Sequence, residues 1–280
     1  MKRIIFSVFA SVTVVVGAPL PGAAQQGHRI LPGGDYLPSI WADPREPRTS
    51  AKLVIVTDGA SQFGSGVEGE AGLGRAFPVY VFSENPSGDY VVLGIGGGVW
   101  GRFNMENQRR DHISTDWVFR IPLAVKRGNT LFQLGYFHKS SHLGDEYAER
   151  FGLEVSGYSR DELNGMVFAN LAGDFQAYWG GAYAFNTRPS GSKRWASVVG
   201  IHGSASRFGA VARPFGGLHL AFDQDSSWRP QFHLQVGLIL LPNQPRRVRT
   251  ALELHGGPSP QGEFHRLDET YATVGIYIDF

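Results

Sequence analysis

Thr270-Tyr-Ala-Thr-Val-Gly-Ile-Tyr-Ile-Asp-Phe280 closes the chain, and its alternation decides the fold. Ala272, Val274, Ile276, Ile278 and Phe280 fall on one face of an extended segment, and Thr273, Gly275, Tyr277 and Asp279 on the other. Successive side chains of a strand point to opposite faces, so this period of two predicts a strand with one apolar and one polar side. Upstream, Phe232, Leu234, Val236, Leu238 and Leu240 oppose Gln231, His233 and Gln235. Trp117, Phe119, Ile121, Leu123 and Val125 oppose Asp116, Arg120 and Lys126; Val248, Leu252 and Leu254 oppose Arg249, Glu253 and His255. Phe175, Trp179, Tyr183 and Phe185 oppose Gln176 and Asn186.

Segments of this kind cover residues 50–57, 71–83, 90–103, 116–125, 130–142, 162–172, 175–186, 196–207, 215–222, 231–241, 248–255 and 270–280, twelve in all. The connections between them alternate. Glu84–Asp89, Lys126–Asn129, Gly173–Asp174, Arg213–Pro214 and Pro242–Pro245 are compact and turn-rich, whereas Asn104–Thr115, Leu143–Asp161 and Gly256–Glu269 are long and polar. An even number of alternating strands, with short turns at one end and long loops at the other, predicts an all-β fold: a closed transmembrane antiparallel barrel of the outer-membrane type. Its apolar faces must look at lipid. The polar faces then collect Arg120, His202, His219, His233, Arg249 and Glu253 in a narrow lumen, as a plug or as the lining of a small-solute, porin-like channel.

The N-terminus fits that address. Lys2 and Arg3 precede a short apolar run, and Gly22-Ala23-Ala24 supplies a small-residue cleavage site, so residues 1–24 read as a secretory signal peptide. Residues 25–49 form a Pro/Gly-rich lead-in, expected to be ordered on the periplasmic side, against or in the barrel mouth, and residues 50–280 the barrel. Four prolines between Leu31 and Arg48 bar a helix or a central strand there. The chain has no cysteine, which excludes a lipid-anchored N-terminus and disulfides. With 26 basic and 25 acidic residues, no nucleic-acid partner is implied. The expected place is the outer membrane of a Gram-negative bacterium, both termini periplasmic, with Phe280 recognised by the barrel-assembly machinery and lipid and lipopolysaccharide as surroundings.

The densest polar cluster is His138-Lys-Ser-Ser-His-Leu-Gly-Asp-Glu146. Tyr158-Ser-Arg-Asp-Glu162 opens the following strand and would pair beside it. His138 and Ser140 are two apart and share a face, the minimum for an activated hydroxyl nucleophile. Parity with Phe132, Leu134 and Tyr136 points both toward lipid. The imidazole needs an orienting carboxylate; Glu146 is the leading candidate, with Asp145, Glu149 and Asp161 as alternatives. Ser141, His142, Asp145, Arg160, Asp161 and Glu162 complete a rim cluster that can pin the loop or hold lipopolysaccharide, and Asp145, Glu146 and Glu149 form a possible calcium site. Gly96-Gly-Gly-Val-Trp-Gly101 matches a dinucleotide-binding spacing, but the polar loop after it offers no helix, so that reading fails.

The His-x-Ser pair resembles that of outer-membrane lipid A deacylases and, more loosely, the His/Ser site of outer-membrane phospholipase A. Ser141 stands where the deacylases carry Asn, and their spacing to the acid is not matched. Ala42-Asp-Pro-Arg-Glu-Pro-Arg48, Ser140-Ser-His-Leu-Gly-Asp-Glu-Tyr147 and Tyr158-Ser-Arg-Asp-Glu162 together resemble the bacterial domain-of-unknown-function 1207 family. That resemblance implies an exported, outer-membrane-type protein and brings no activity with it. The expectation is therefore a barrel of structural or lipid-binding role, with an outer-leaflet acyl hydrolase and a narrow channel as alternatives.

Overall fold

The computed structural model describes residues 28–154, 157–205, 211–240, 242 and 247–279; the expected signal peptide and Phe280 lie outside the described residues. The strands are β1 (Arg29–Ile30), β2 (Thr49–Asp58), β3 (Gly66–Glu84), β4 (Tyr90–Asn104), β5 (His112–Arg127), β6 (Thr130–Leu143), β7 (Tyr158–Asn170), β8 (Asp174–Arg188), β9 (Trp195–Ser204), β10 (Ala212–Asp223), β11 (Pro230–Leu240), β12 (Arg247–Pro258) and β13 (Asp268–Asp279). Helix α1 (Asp145–Phe151) interrupts the connection between β6 and β7. From β2 onward each strand pairs antiparallel with its sequence neighbour, and β13 returns to pair with β2. The twelve strands β2–β13 thus form a closed barrel, and each of the twelve expected segments lies on or overlaps one of them. Closure satisfies the backbone polar groups without leaving an edge in lipid. The thirteenth strand, β1, pairs with the far end of β3 through Arg29–Val81 and Ile30–Tyr80. Among the described residues no helix is long and apolar enough to cross a membrane.

The barrel is inside-out by parity. On β13, Val274 and Ile276 are 56% and 54% exposed, whereas Thr273 and Tyr277 are 3% and 0% exposed. Leu53, Ile55, Trp117, Phe119, Leu134, Trp179, Val236 and Leu252 continue the exposed apolar band around the wall. Their neighbours Lys52, Glu70, Arg102, Asp116, Gln235, Arg249 and Glu253 are buried inside. Asn186 departs from its expected inward position. A bulge shifts the register of β8 against β7 between Asp161 and Glu162, so that Asn186 lies opposite Asp161 on the outer face.

The lead-in does more than meet the mouth of the barrel. Residues 36–48 run inside it, where Ile40, Ala42, Arg45, Glu46 and Arg48 are all buried. Arg45 Nε donates to Asp116 at 2.6 Å and Arg45 Nη1 to Glu70 at 3.2 Å. Arg120 grips the Glu46 carboxylate with two bonds, of 3.1 and 2.7 Å. Trp41 stacks on His202 with ring centroids 4.8 Å apart. The network runs on through Lys52, which bridges Glu70 and Glu253, and through Arg249, which binds Asp279 and Gln235. Prolines keep the segment out of the sheet, and its charges find their counter-charges on the inner wall. At the end bearing the long connections, Ile113, Tyr147, Ala60 and Phe264 form a small apolar cap. Residues 258–267 fold across that end. There the Gly262 amide donates to Asp116 and the Glu263 amide to Ser141 Oγ, while Gln261 accepts from Ser114 Oγ.

Candidate functional site

The site lies on the outer wall, where β6, β7 and β8 run side by side. In register, His138 lies opposite Asp161 and Asp161 opposite Asn186. Alternation along β6 puts Tyr136, His138 and Ser140 on the same outward row, with Gln133, Lys139 and Ser141 facing the lumen. His138 Nδ1 donates to Asp161 Oδ1 at 2.7 Å, Tyr136 Oη donates to the same oxygen at 2.5 Å, and Asn186 Nδ2 donates to Asp161 Oδ2 at 2.8 Å. Asp161 therefore accepts three bonds on a wall otherwise made of Phe119, Leu134, Leu163 and Phe185. His138 is 33% and Asp161 19% exposed, so the pair is reachable from outside the barrel.

A carboxylate on Nδ1 fixes one imidazole tautomer and leaves Nε2 as the basic nitrogen. Ser140 is the next residue on that face and is half-buried, between Trp117 of β5 and Ser159 of β7. Among the described residues its hydroxyl has no hydrogen-bond partner. Two residues along a strand rise about 6.6 Å between Cα atoms, so His138 and Ser140 are neighbours on one face. Catalytic hydrogen bonds commonly close only once substrate is bound.

The carboxylate facing His138 is Asp161 and not Glu146. The chain leaves β6 at Gly144 and turns straight into α1, which carries Glu146 onto an exposed helical face. Asp145 and Glu146 occupy the first turn, where carboxylates complement the helix dipole, and Gly152 ends α1 in the left-handed conformation with φ 61°. Glu149 lies 3.9 Å from Arg109, with both side chains mostly exposed. Among the described residues no three His, Asp or Glu side chains, Asp145, Glu146 and Glu149 included, converge on a point that would hold a metal ion.

The rest of the rim cluster divides between the two faces of the sheet. His142 is exposed on the outer row. Ser141 and Arg160 are buried inside, Arg160 holding Glu162 at 2.5 Å and Asp223 at 3.5 Å. The lumen histidines His219, His233 and His255 form a row of tilted ring contacts. Tyr178 and His219 are in contact, His233 and His255 have centroids 4.4 Å apart, and their Nδ1 atoms approach to 3.3 Å. Tyr136 and Asn186 were not read as site residues. Tyr136 carried a signal, since it precedes His138 by two. Asn186 carried none, because the bulge that turns it outward leaves no mark in the alternation.

Solved structures place this architecture. Outer membrane phospholipase A from Escherichia coli superimposes with a TM-score of 0.55 at 14% identity, over 84% of this chain and 92% of that one. The calcium-bound dimer of the outer membrane phospholipase from Salmonella typhi gives 0.57 at 13% identity, over 89% and 95%. At such identity the likeness is one of fold. No curated protein matches the chain in sequence. A family model described as "Protein of unknown function (DUF1207)" matches residues 12–280.

Proposed function

Because the chain belongs to the DUF1207 family and folds as an outer-membrane-type barrel, we propose that it resides in the bacterial outer membrane and hydrolyses acyl esters of lipids that touch its outer wall. Ser140 is the nucleophile in this reading, His138 the general base, and Asp161 the group that orients the imidazole. The observation that carries it is the His138–Asp161 pair on the lipid-facing surface, with an unengaged Ser140 beside it. An ionisable pair kept on a wall that faces lipid is a functional site by default.

The chemistry follows from the geometry. Nε2 of His138 takes the Ser140 proton as Oγ bonds to the acyl carbonyl carbon, and Asp161 stabilises the imidazolium that forms. Collapse of the tetrahedral intermediate breaks the ester bond, and His138 returns the proton to the departing alkoxide. Water, deprotonated by His138, then releases the fatty acid and restores Ser140. Phe119, Leu134, Leu163 and Phe185 give the acyl chain an apolar surface beside the nucleophile. Similarity to proteins whose printed name is phospholipase supports the reading without supplying a residue of it.

A fluorophosphonate probe tests it. Peptide mass analysis is expected to find the adduct on Ser140 and to lose it in His138→Ala; labelling elsewhere, or none, counts against the assignment.

A second reading keeps the barrel structural, with its rim holding lipopolysaccharide. The extensive bonding of residues 258–267 to the wall favours it. A channel draws less support. The lead-in occupies the lumen, and buried ion pairs tie it to the wall. Cavities of about 160 and 180 Å³ remain beside it. In all of these readings the long connections face outward from the cell and both termini face the periplasm, where the barrel-assembly machinery would read Phe280.

A further inference from the structure

We infer that Arg188 is a phosphate anchor for the lipid substrate, set two strands from Ser140 on the same outer row. This rests on the hydrolase reading and adds to it a substrate class: acylated lipids that carry a phosphate ester.

The register gives the placement. Ser140 of β6 lies opposite Ser159 of β7, and Ser159 lies opposite Arg188 of β8. One row toward the membrane centre, His138, Asp161 and Asn186 line up in the same way, and their hydrogen bonds show that this row points outward. Arg188 is two residues beyond Asn186 on β8, so it shares the outer face, and it is exposed. Neighbouring strands are about 4.8 Å apart, which sets Arg188 about 10 Å from Ser140 between Cα atoms. An extended arginine and the carbons joining a phosphate to an acyl ester can bridge that span.

The guanidinium of Arg188 acts on Glu263 through space, without a bond to it. Among the described residues it has neither a hydrogen bond nor a carboxylate within salt-bridge distance. The Glu263 carboxyl is held up to about 7 by burial and Asp116, against which Arg188 pulls it down. Other arginines along the same rim are occupied: Arg150 by Asp111, Arg229 by Asp268 and Arg266 by Asp225. Arg194 lies across from Ala184 of β8, and its guanidinium donates to Tyr183 Oη at 3.2 Å. Guanidinium is the side chain best matched to phosphate, through two parallel N–H donors. On a wall facing lipid, a guanidinium in the nucleophile's own row, two strands away, meets the phosphate while the acyl ester meets Ser140.

Two sources share this chemistry, a glycerophospholipid and the phosphorylated glucosamine of lipid A, and the test separates them. Purified protein in mixed micelles is assayed with phosphatidylglycerol, with lipid A, and with diacylglycerol as the phosphate-free control, for wild type and Arg188→Gln. The expected result is a KM raised about tenfold for one or both phosphate lipids, with kcat and diacylglycerol turnover unchanged. Equal loss on all three lipids, or no change on any, overturns the anchor. Binding is read in parallel by native mass spectrometry of the Ser140→Ala protein with and without Arg188→Gln. If wild type cleaves nothing yet the Arg188→Gln protein retains less phosphate lipid and no less diacylglycerol, the hydrolase reading fails and the anchor stands. If retention is equal with and without Arg188→Gln, the anchor fails whatever the activity.

Discussion

The barrel carries two polar networks on opposite sides of one sheet. Inside, Arg45 is shared by Asp116 and Glu70, Lys52 by Glu70 and Glu253, and Arg102 by Glu68, Glu70 and Glu269. Outside, a single carboxylate, Asp161, collects Tyr136, His138 and Asn186 and leaves the next hydroxyl, Ser140, with no bond. The inner network is tied to the lead-in, and Asp116 has Arg45 as its ion-pair partner, so removing Arg45 leaves that buried charge uncompensated. The outer one is small and open on one side. In the proposed reading, that contrast separates a network that holds a structure together from one arranged for chemistry, and it dictates which variants should unfold the protein and which should silence it.

The largest effect belongs inside. Arg45→Met should destabilise the barrel by about 3–5 kcal/mol, because Asp116 and Glu70 lose a buried partner together. Urea titration of the heat-sensitive electrophoretic shift measures this, and specific lipid hydrolysis by the protein still folded should be unchanged. A variant of full stability would show that the lead-in does not secure the lumen. Asp161→Asn should act the other way, lowering kcat about a hundredfold or more while leaving the urea midpoint nearly fixed. Equal activity in Asp161→Asn would reduce the outer network to wall decoration. Tyr136→Phe removes one of three bonds to that carboxylate and should cost about 1 kcal/mol, a roughly fivefold drop in rate.

The smallest effect concerns the cap. Burial and the neighbouring Asp116 push the Glu263 carboxyl up to about 7. Between the ordinary carboxylate range and pH 7 the folded cap thus holds a proton that the unfolded chain has released. Stability of residues 258–267 should fall as pH rises through that window and level off above it. Hydrogen exchange at pH 5 and pH 8 reads the change. Glu263→Gln should abolish it, and an unchanged pH dependence in that variant would assign it to another group.

Much of this was legible in the chain because a barrel strand obeys one rule. Lipid tolerates only apolar side chains, so Val274, Ile276, Trp117 and Leu252 announce the outer face and Arg249, Glu253 and His233 the inner one. The shared face of His138 and Ser140 follows from the same period. Two things did not follow. Residues 36–48 have no period, since their prolines keep them out of the sheet, and nothing local states that Arg45 and Glu46 pair with Asp116 and Arg120 across the lumen. The choice of acid turned on α1: once residues 145–151 coil, Glu146 leaves the neighbourhood of His138, and β7 brings Asp161 in register instead. Asn186 required the bulge, a feature of pairing and not of sequence.

The central claim is that Ser140 is a nucleophile acting on membrane lipid. Purified wild type and Ser140→Ala, both shown to be folded by their heat-sensitive electrophoretic shift, are incubated with phospholipid and lipid A vesicles and the products weighed by mass spectrometry. The account predicts free fatty acid and the matching deacylated lipid with wild type alone. Identical lipid profiles from the two folded proteins would contradict it.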